Sequence, residues 1–236
     1  MTPLFAARYH LSRLQALFCY LIGHNSMEIC RLSVINTGGM GREGKSAIRA
    51  RLLEARRAMG HEAWLAGSES VFLRLRGLRE LQSASRVHCY VAIGQDREVA
   101  TVPLLEWLAA QRKAVYMPYI DQGRMRCARY LPGHCFTSMR NGPPVPDPLL
   151  VSDESGFDAV IVPLVAVDCS GTRIGYGRGW YDRFFAELRA AGSRPLKIGV
   201  CFGFQLLDAL RPDPWDEPLD IVVTENGIIN CRSSWK

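Results

Sequence analysis

Asp158-Ala-Val-Ile-Val-Pro-Leu-Val-Ala-Val-Asp168 leads, after a short turn, into Gly175-Tyr-Gly-Arg-Gly-Trp-Tyr-Asp-Arg183. The first stretch is an almost unbroken apolar run, the pattern of a strand buried on both faces. The second alternates glycines with bulky or charged residues, and Phe184, Phe185 and Leu188 then mark one side of an amphipathic helix. The order is buried strand, turn, glycine loop, helix. Glycine lets backbone approach a ligand closely, and a helix start offers free N–H groups and about half a positive charge. Together these favour a phosphate or another anion. Arg173 and Arg178 add positive charge, and Asp182 is placed to hold a magnesium ion against phosphates. The third glycine comes one residue too early for the dinucleotide fingerprint, and no Gly-Lys-Ser/Thr follows to make a Walker loop. On spacing alone, a glycine-rich surface turn remains open.

Outward from this centre the chain alternates. Residues 45–59 read as a helix with Ile48, Leu52, Ala55 and Met59 on one stripe. Lys45, Arg49 and Arg56 form a second stripe, within about 40° of one another at helical pitch. Such a stripe either reaches into a cleft or is a solvated basic face. Residues 61–81 predict a second helix, weakened by Gly67 and Gly77, and 102–113 a third. Strands are expected at 87–93, 114–118, 125–131 and 196–202, a short helix at 204–210, a turn at 212–218 and a hairpin from 220–224 and 227–230. The stretch 133–155 reads as a long loop carrying Pro143, Pro144, Pro146 and Pro148, of the length that is usually functional or disordered. Strands separated by helices imply an α/β fold with a mainly parallel sheet flanked by helices. Ligands then bind beyond the carboxyl ends of the strands, so loops 94–98, 118–124, 168–182 and 202–205 are expected to line one cleft.

The bulk properties narrow the function. With 236 residues the chain suits one large domain, and its net charge of +6 comes from scattered basic residues rather than a block. That argues against nucleic acid and suits a polyanionic small substrate. Eight cysteines include no Cys-x-x-Cys pair, and His88-Cys89 and His134-Cys135 lack metal-ligand spacing. Reduced thiols and a cytoplasmic protein are expected. Residues 1–40 contain no acid before Glu28, and their apolar run at 14–23 is about half a membrane span. They read as an extension, disordered or mis-started, with organellar targeting as the other reading. Residues 41–230 form the domain and 231–236 a tail.

In this order the segments resemble the 5-formyltetrahydrofolate cyclo-ligase (methenyltetrahydrofolate synthetase) family. Four stretches carry the resemblance: Lys45-Ser-Ala-Ile-Arg49 with Arg56 beyond; Glu98-Val-Ala-Thr101; Asp168 with Gly171-Thr-Arg-Ile-Gly-Tyr-Gly-Arg-Gly-Trp-Tyr-Asp-Arg183; and Asp216 with Asp220-Ile-Val-Val-Thr-Glu225. The resemblance implies a single domain of the sugar-phosphate isomerase and CoA transferase type (NagB/RpiA/CoA transferase-like); a monomer that binds neither nucleic acid nor membrane is expected. It implies conversion of 5-formyltetrahydrofolate and ATP to 5,10-methenyltetrahydrofolate, ADP and phosphate, with Mg2+. Lys45 and Arg49 would hold the nucleotide phosphates, and Arg173 would stabilise charge on the transferred phosphoryl group. The stretch Gly175, Tyr176, Gly177, Arg178, Gly179, Trp180 and Tyr181 would cradle ATP, and Asp182 and Asp220 would hold the metal. Glu98 would hydrogen-bond the folate's pterin ring, with Tyr176 and Trp180 packing on its aromatic groups. Trp180, where Tyr is frequent, and Ile174, where Leu is usual, depart conservatively from the family pattern. Another enzyme on the same sheet, or a non-catalytic binding relative, are the competing readings; the glycine spacing disfavours a dinucleotide oxidoreductase.

Overall fold

A computed structural model describes residues 43–139 and 142–234; the expected extension over 1–40 lies outside the described residues. Strand β1 (Arg86–His88) lies at the middle of an eight-stranded sheet. It pairs in parallel with β2 (Ala114–Asp121) on one side and β7 (Ala159–Pro163) on the other. Beyond β2 the sheet turns antiparallel through β3 (Arg124–Tyr130) and β6 (Leu150–Ser152). Beyond β7 it continues in parallel through β10 (Leu196–Val200) and β12 (Ile221–Val223), and closes with antiparallel β13 (Ile228–Asn230). The α/β reading with a mainly parallel sheet therefore holds, and the terminal hairpin is present.

Helices cover both faces because neighbouring strand residues point oppositely. Ala159 and Ile161 join a core with Leu104, Leu105 and Leu108 of α4 (Val102–Ala110), with Val71 and Leu75 of α2 (His61–Gly77), and with Leu81 of α3 (Arg79–Ser83). Val160 and Val162 face the other way, onto Phe184, Phe185 and Leu188 of α5 (Trp180–Ala190). The chain leaves β1 through α4 toward β2, but leaves β7 through α5 toward β10. The two connections diverge, so a crevice opens between the carboxyl ends of β1 and β7, the usual ligand position in such a sheet.

Several boundaries differ from the sequence reading. The apolar run over 158–168 is two strands, not one. After β7 the chain turns away, and β8 (Ala166–Asp168) belongs to a separate small sheet with β9 (Arg173–Ile174) and β11 (Leu206–Leu207). The turn is stabilised by side chains in place of a ladder: Gln205 donates to the carbonyls of Leu164 and Val165, and Arg56 also donates to Leu164. This buried Gln205 explains a second difference. In place of a helix over 204–210, Gly203–Gln205 form a short 3-10 turn and Leu206–Leu207 form β11. The predicted helix over 61–81 breaks at Leu78, whose backbone is extended (φ −74°, ψ 116°). The predicted strand over 87–93 ends at His88, with the Cys89 N–H still donating to the Tyr116 carbonyl, and the long proline-bearing loop contains β4 (Cys135–Thr137), β5 (Val145–Asp147) and β6. Among the described residues, no helix is long and apolar enough to cross a membrane.

Candidate active site

The crevice widens into a cleft of about 1510 Å³, lined on one side by Ile93 to Asp96 and Glu98 and on the other by Arg173 to Arg183. A pocket for one drug-sized ligand is roughly 300–1,000 Å³, so this cleft has room for two substrates. Ser138, Met139 and Gly142 to Pro144 of the proline-rich segment, with Asp213 to Pro218, complete its rim. Pro118 is the lining residue of the predicted 118–124 loop, and none of 202–205 reaches the cleft. The rim segment 213–218 takes the place expected of 202–205, because Gly203 and Gln205 are buried against Glu225 and Leu164.

The small sheet positions the cationic wall. Helix α1 (Lys45–Arg57) packs Ile48 and Leu52 onto Val165, Ala166, Ile174 and Leu207. Its next faces then carry Lys45 and Arg49 to the cleft. Arg49 Nε donates to the Gly175 carbonyl at 2.7 Å. Gly177 has φ +86°, and a Cβ there would stand 3.3 Å from the Arg49 guanidinium carbon. A side chain at this position would be strained and would crowd Arg49. Gly179, also left-handed at φ 62°, caps α5 and starts the helix with Trp180, Tyr181 and Asp182 facing the cleft. Arg178 is exposed at the cleft edge.

Lys45 and Arg173 of this wall are paired with carboxylates. Lys45 Nζ donates to Asp213 at 2.6 Å and to Asp216 at 2.7 Å. Burial alone would lower the Lys45 pKa, but the two carboxylates outweigh it and hold the ammonium above its ordinary range. Arg173, buried at the wall, donates to Asp182 Oδ1 at 2.6 Å and to the Glu217 carbonyl. Asp182 Oδ1 also accepts the Glu217 N–H at 3.2 Å. Lys197 and Arg189 hold the Glu217 side chain. The segment 213–217 is thus strapped down by the residues assigned to phosphate.

The facing wall is built differently. Glu98 is 3% exposed. Its Oε2 accepts the Ile93 N–H at 2.6 Å and its Oε1 accepts the Tyr176 hydroxyl at 2.7 Å. Arg56, 2% exposed, donates to the carbonyls of Asp96 and Leu164 and to the Tyr176 oxygen. Burial raises the Glu98 pKa, against the Ile93 N–H, Arg56 and Tyr176, which favour its charged form. Arg56 therefore follows neither of the two readings open for its stripe, cleft-lining or solvated, and lies buried beneath the glycine loop, while Ala55, placed on the apolar stripe, is exposed. Sequence reasoning missed this inversion because periodicity cannot distinguish a snorkelling arginine from one drawn inward by carbonyls. It also missed the partners of Lys45, although Pro212-Asp-Pro-Trp-Asp-Glu-Pro218 packs three acids between prolines.

Of the two carboxylates assigned to metal, Asp182 lines the cleft and Asp220 does not. Asp220 Oδ2 accepts the Lys197 N–H and its Oδ1 accepts Arg232. Among the described residues no cluster of three or more metal-ligating side chains forms. Magnesium is commonly held by one or two carboxylates together with phosphates. Asp182 fits that role, since no described residue donates to its Oδ2. The Tyr181 hydroxyl is buried without a partner among the described residues, as are both ring nitrogens of His88 beside it, 6.2 Å between ring centroids.

Residues 41–225 match the 5-formyltetrahydrofolate cyclo-ligase family. The 5-formyltetrahydrofolate cyclo-ligase of Mycolicibacterium smegmatis is 30% identical over 204 residues, covering 82% of this chain and all of that one. The Escherichia coli protein of the same name is 32% identical over 143 residues, 58% of this chain and 78% of that one. The NMR structure of Aquifex aeolicus 5,10-methenyltetrahydrofolate synthetase superposes with a TM-score of 0.69 at 29% identity, over 80% of this chain and 93% of that one.

Proposed function

Because the chain belongs to the 5-formyltetrahydrofolate cyclo-ligase family, we propose that it closes 5-formyltetrahydrofolate to 5,10-methenyltetrahydrofolate by spending ATP in this cleft, with residues 41–230 as the catalytic unit. The observation that carries the reading is one cleft with two unlike walls: Lys45, Arg49 and Arg173 around the glycine loop, and Glu98 opposite. The cationic wall suits a triphosphate and the carboxylate suits the N–H donors of a pterin edge.

In this reading the nucleotide phosphates lie along Gly175 to Gly179, with Lys45 and Arg49 as counter-charges. The formyl oxygen attacks the γ-phosphorus and ADP departs. The resulting iminophosphate carbon is then attacked by N10, the proton of N10 is lost, and the C–O bond breaks to release phosphate with the formyl oxygen in it. Arg173 stabilises charge on the phosphoryl group in flight, the interaction that dominates such transfers. Magnesium, when bound, would neutralise phosphate charge; Asp182 would hold it, whereas Asp220 lies outside the cleft. The remaining work is to position two anionic substrates, which a monomer of net charge +6 can do, without nucleic acid or membrane.

The test is absorbance growth of the methenyl product from purified protein, 5-formyltetrahydrofolate and MgATP. Arg173→Ala is expected to lower kcat by about 100-fold or more, and Asp182→Ala to raise the magnesium requirement. ATP-independent turnover, or an Arg173→Ala variant as fast as wild type, would refute the assignment.

A further inference from the structure

We infer that Arg56 and Tyr176 are positioning residues that form a fixed tether for Glu98, with Tyr176 acting through its hydroxyl instead of as a ring platform for the folate. The inference rests on the cyclo-ligase reading and adds two residues to its substrate wall.

The direction of the tether follows from donor chemistry. An arginine can only donate, so the Tyr176 oxygen accepts from Arg56 Nη2. The single hydroxyl proton of Tyr176 is then committed to Glu98 Oε1, at 2.7 Å. The other oxygen is committed to the Ile93 N–H. Both oxygens of Glu98 are acceptors, and the plane of the carboxylate is set from two sides. What remains for a ligand is an acceptor surface that recognises N–H donors and rejects another acceptor.

The base of the tether is rigid for a topological reason. Arg56 donates to the carbonyl of Asp96, which follows β1, and to that of Leu164, which follows β7. It therefore bridges the two strand ends that flank the crevice. Its guanidinium also stands 5.6 Å from the centre of the Tyr176 ring, at the hydroxyl end. Tyr176 belongs to the glycine loop and Glu98 to the opposite wall; the tether fixes the distance between the nucleotide loop and the folate carboxylate. On the far side, Trp64 Nε1 donates to the Glu98 carbonyl at 2.6 Å and fixes its backbone.

The test is steady-state kinetics of Tyr176→Phe, Glu98→Gln and the double variant, with thermal unfolding of each. Tyr176→Phe keeps the ring and removes one hydroxyl. It is expected to raise KM for 5-formyltetrahydrofolate about tenfold, the worth of a charge-assisted hydrogen bond, with KM for ATP and kcat within about twofold. In the Glu98→Gln background the same change is expected to do little more, because the group it orients is gone. Arg56→Lys, which keeps a charge and some donors, is expected to fall between wild type and Tyr176→Phe. An unchanged folate KM in Tyr176→Phe would overturn the tether and restore the ring-platform role. Parallel loss of kcat, both KM values and stability would also overturn it, as a purely structural effect. A wild-type protein that turns over no 5-formyltetrahydrofolate would overturn the underlying reading, and the tether with it.

Discussion

The two walls of the cleft hold charge in opposite ways. At Glu98 and Arg56 the side chains are buried, at Tyr176 half-buried, and the polar groups of all three meet protein partners. At Lys45 a half-buried cation is paired with Asp213 and Asp216 of the rim segment 213–217, where the Asp213 side chain is 44% exposed and Trp215 71% exposed. Buried, satisfied groups are preorganised, whereas partly exposed ion pairs exchange partners at small cost. The first wall suits a substrate recognised by shape and hydrogen bonds. The second suits an anion that displaces carboxylates from cations already in place.

The largest break in this comparison comes from Gly171. It has φ +85°, and a Cβ there would overlap the Leu219 carbonyl oxygen, a backbone atom that cannot rotate away. The Gly171 carbonyl also accepts the Leu219 N–H at 2.9 Å, anchoring the end of the rim segment. Gly171→Ala is expected to lower stability by at least about 3 kcal/mol in urea unfolding. Near-wild-type stability would mean that the segment is free to shift and is no strap.

Asp216 tests the exchange itself. Its carboxylate meets Lys45, and no assigned residue of the facing wall touches it. If phosphate displaces this carboxylate, Asp216→Asn removes a competitor, and calorimetry should show ATP binding roughly two- to fivefold tighter, the worth of a partly exposed ion pair. Weaker binding in the presence of magnesium would instead make Asp216 a ligand of the metal and dissolve the contrast between the walls.

The two walls also differ in how far the sequence revealed them. The central strand, glycine loop and helix were legible because hydrophobic periodicity and the three glycines are local signals, and α5 begins at Trp180 after the left-handed Gly179. The resemblance then carried Lys45, Arg49, Glu98, Arg173 and Asp182 to one cleft, which the fold assembles from distant segments. What stayed hidden is non-local. Gln205 replaces a predicted helix by a turn because it feeds two carbonyls some 40 residues upstream in sequence. Periodicity leaves Arg56 on a stripe that is either cleft-facing or solvated, because the carbonyls that draw it inward belong to the distant Asp96 and Leu164. Asp220 looked like an active-site acid from its place in the motif, yet its neighbours are Arg232 and the Lys197 backbone.

The smallest effect sharpens the comparison most, because the walls differ in sign. Burial raises the pKa of Glu98 above its ordinary 4.5. The native state then holds that proton more tightly than the unfolded chain, so Glu98 contributes stability below pH 4.5 that is lost as pH rises through the raised pKa. Burial pushes Asp216 upward too, but Lys45 and the Asp213 N–H outweigh it and hold the group below its ordinary 3.8. Its contribution is present above pH 3.8 and is lost as pH falls through the lowered pKa. His88, buried and depressed from 6.5 to about 3, also weakens the protein in acid, but it is common to every variant and cancels in differences. Relative to wild type, Glu98→Gln should therefore gain stability as pH rises from 4.5, and Asp216→Asn should gain as pH falls below 3.8. Urea unfolding across the acid range reads both slopes. Slopes of the same sign would mean that both acids respond to a shared environment and that the walls are one electrostatic unit; opposite slopes require a desolvated carboxylate facing a charge-paired one across the same cleft.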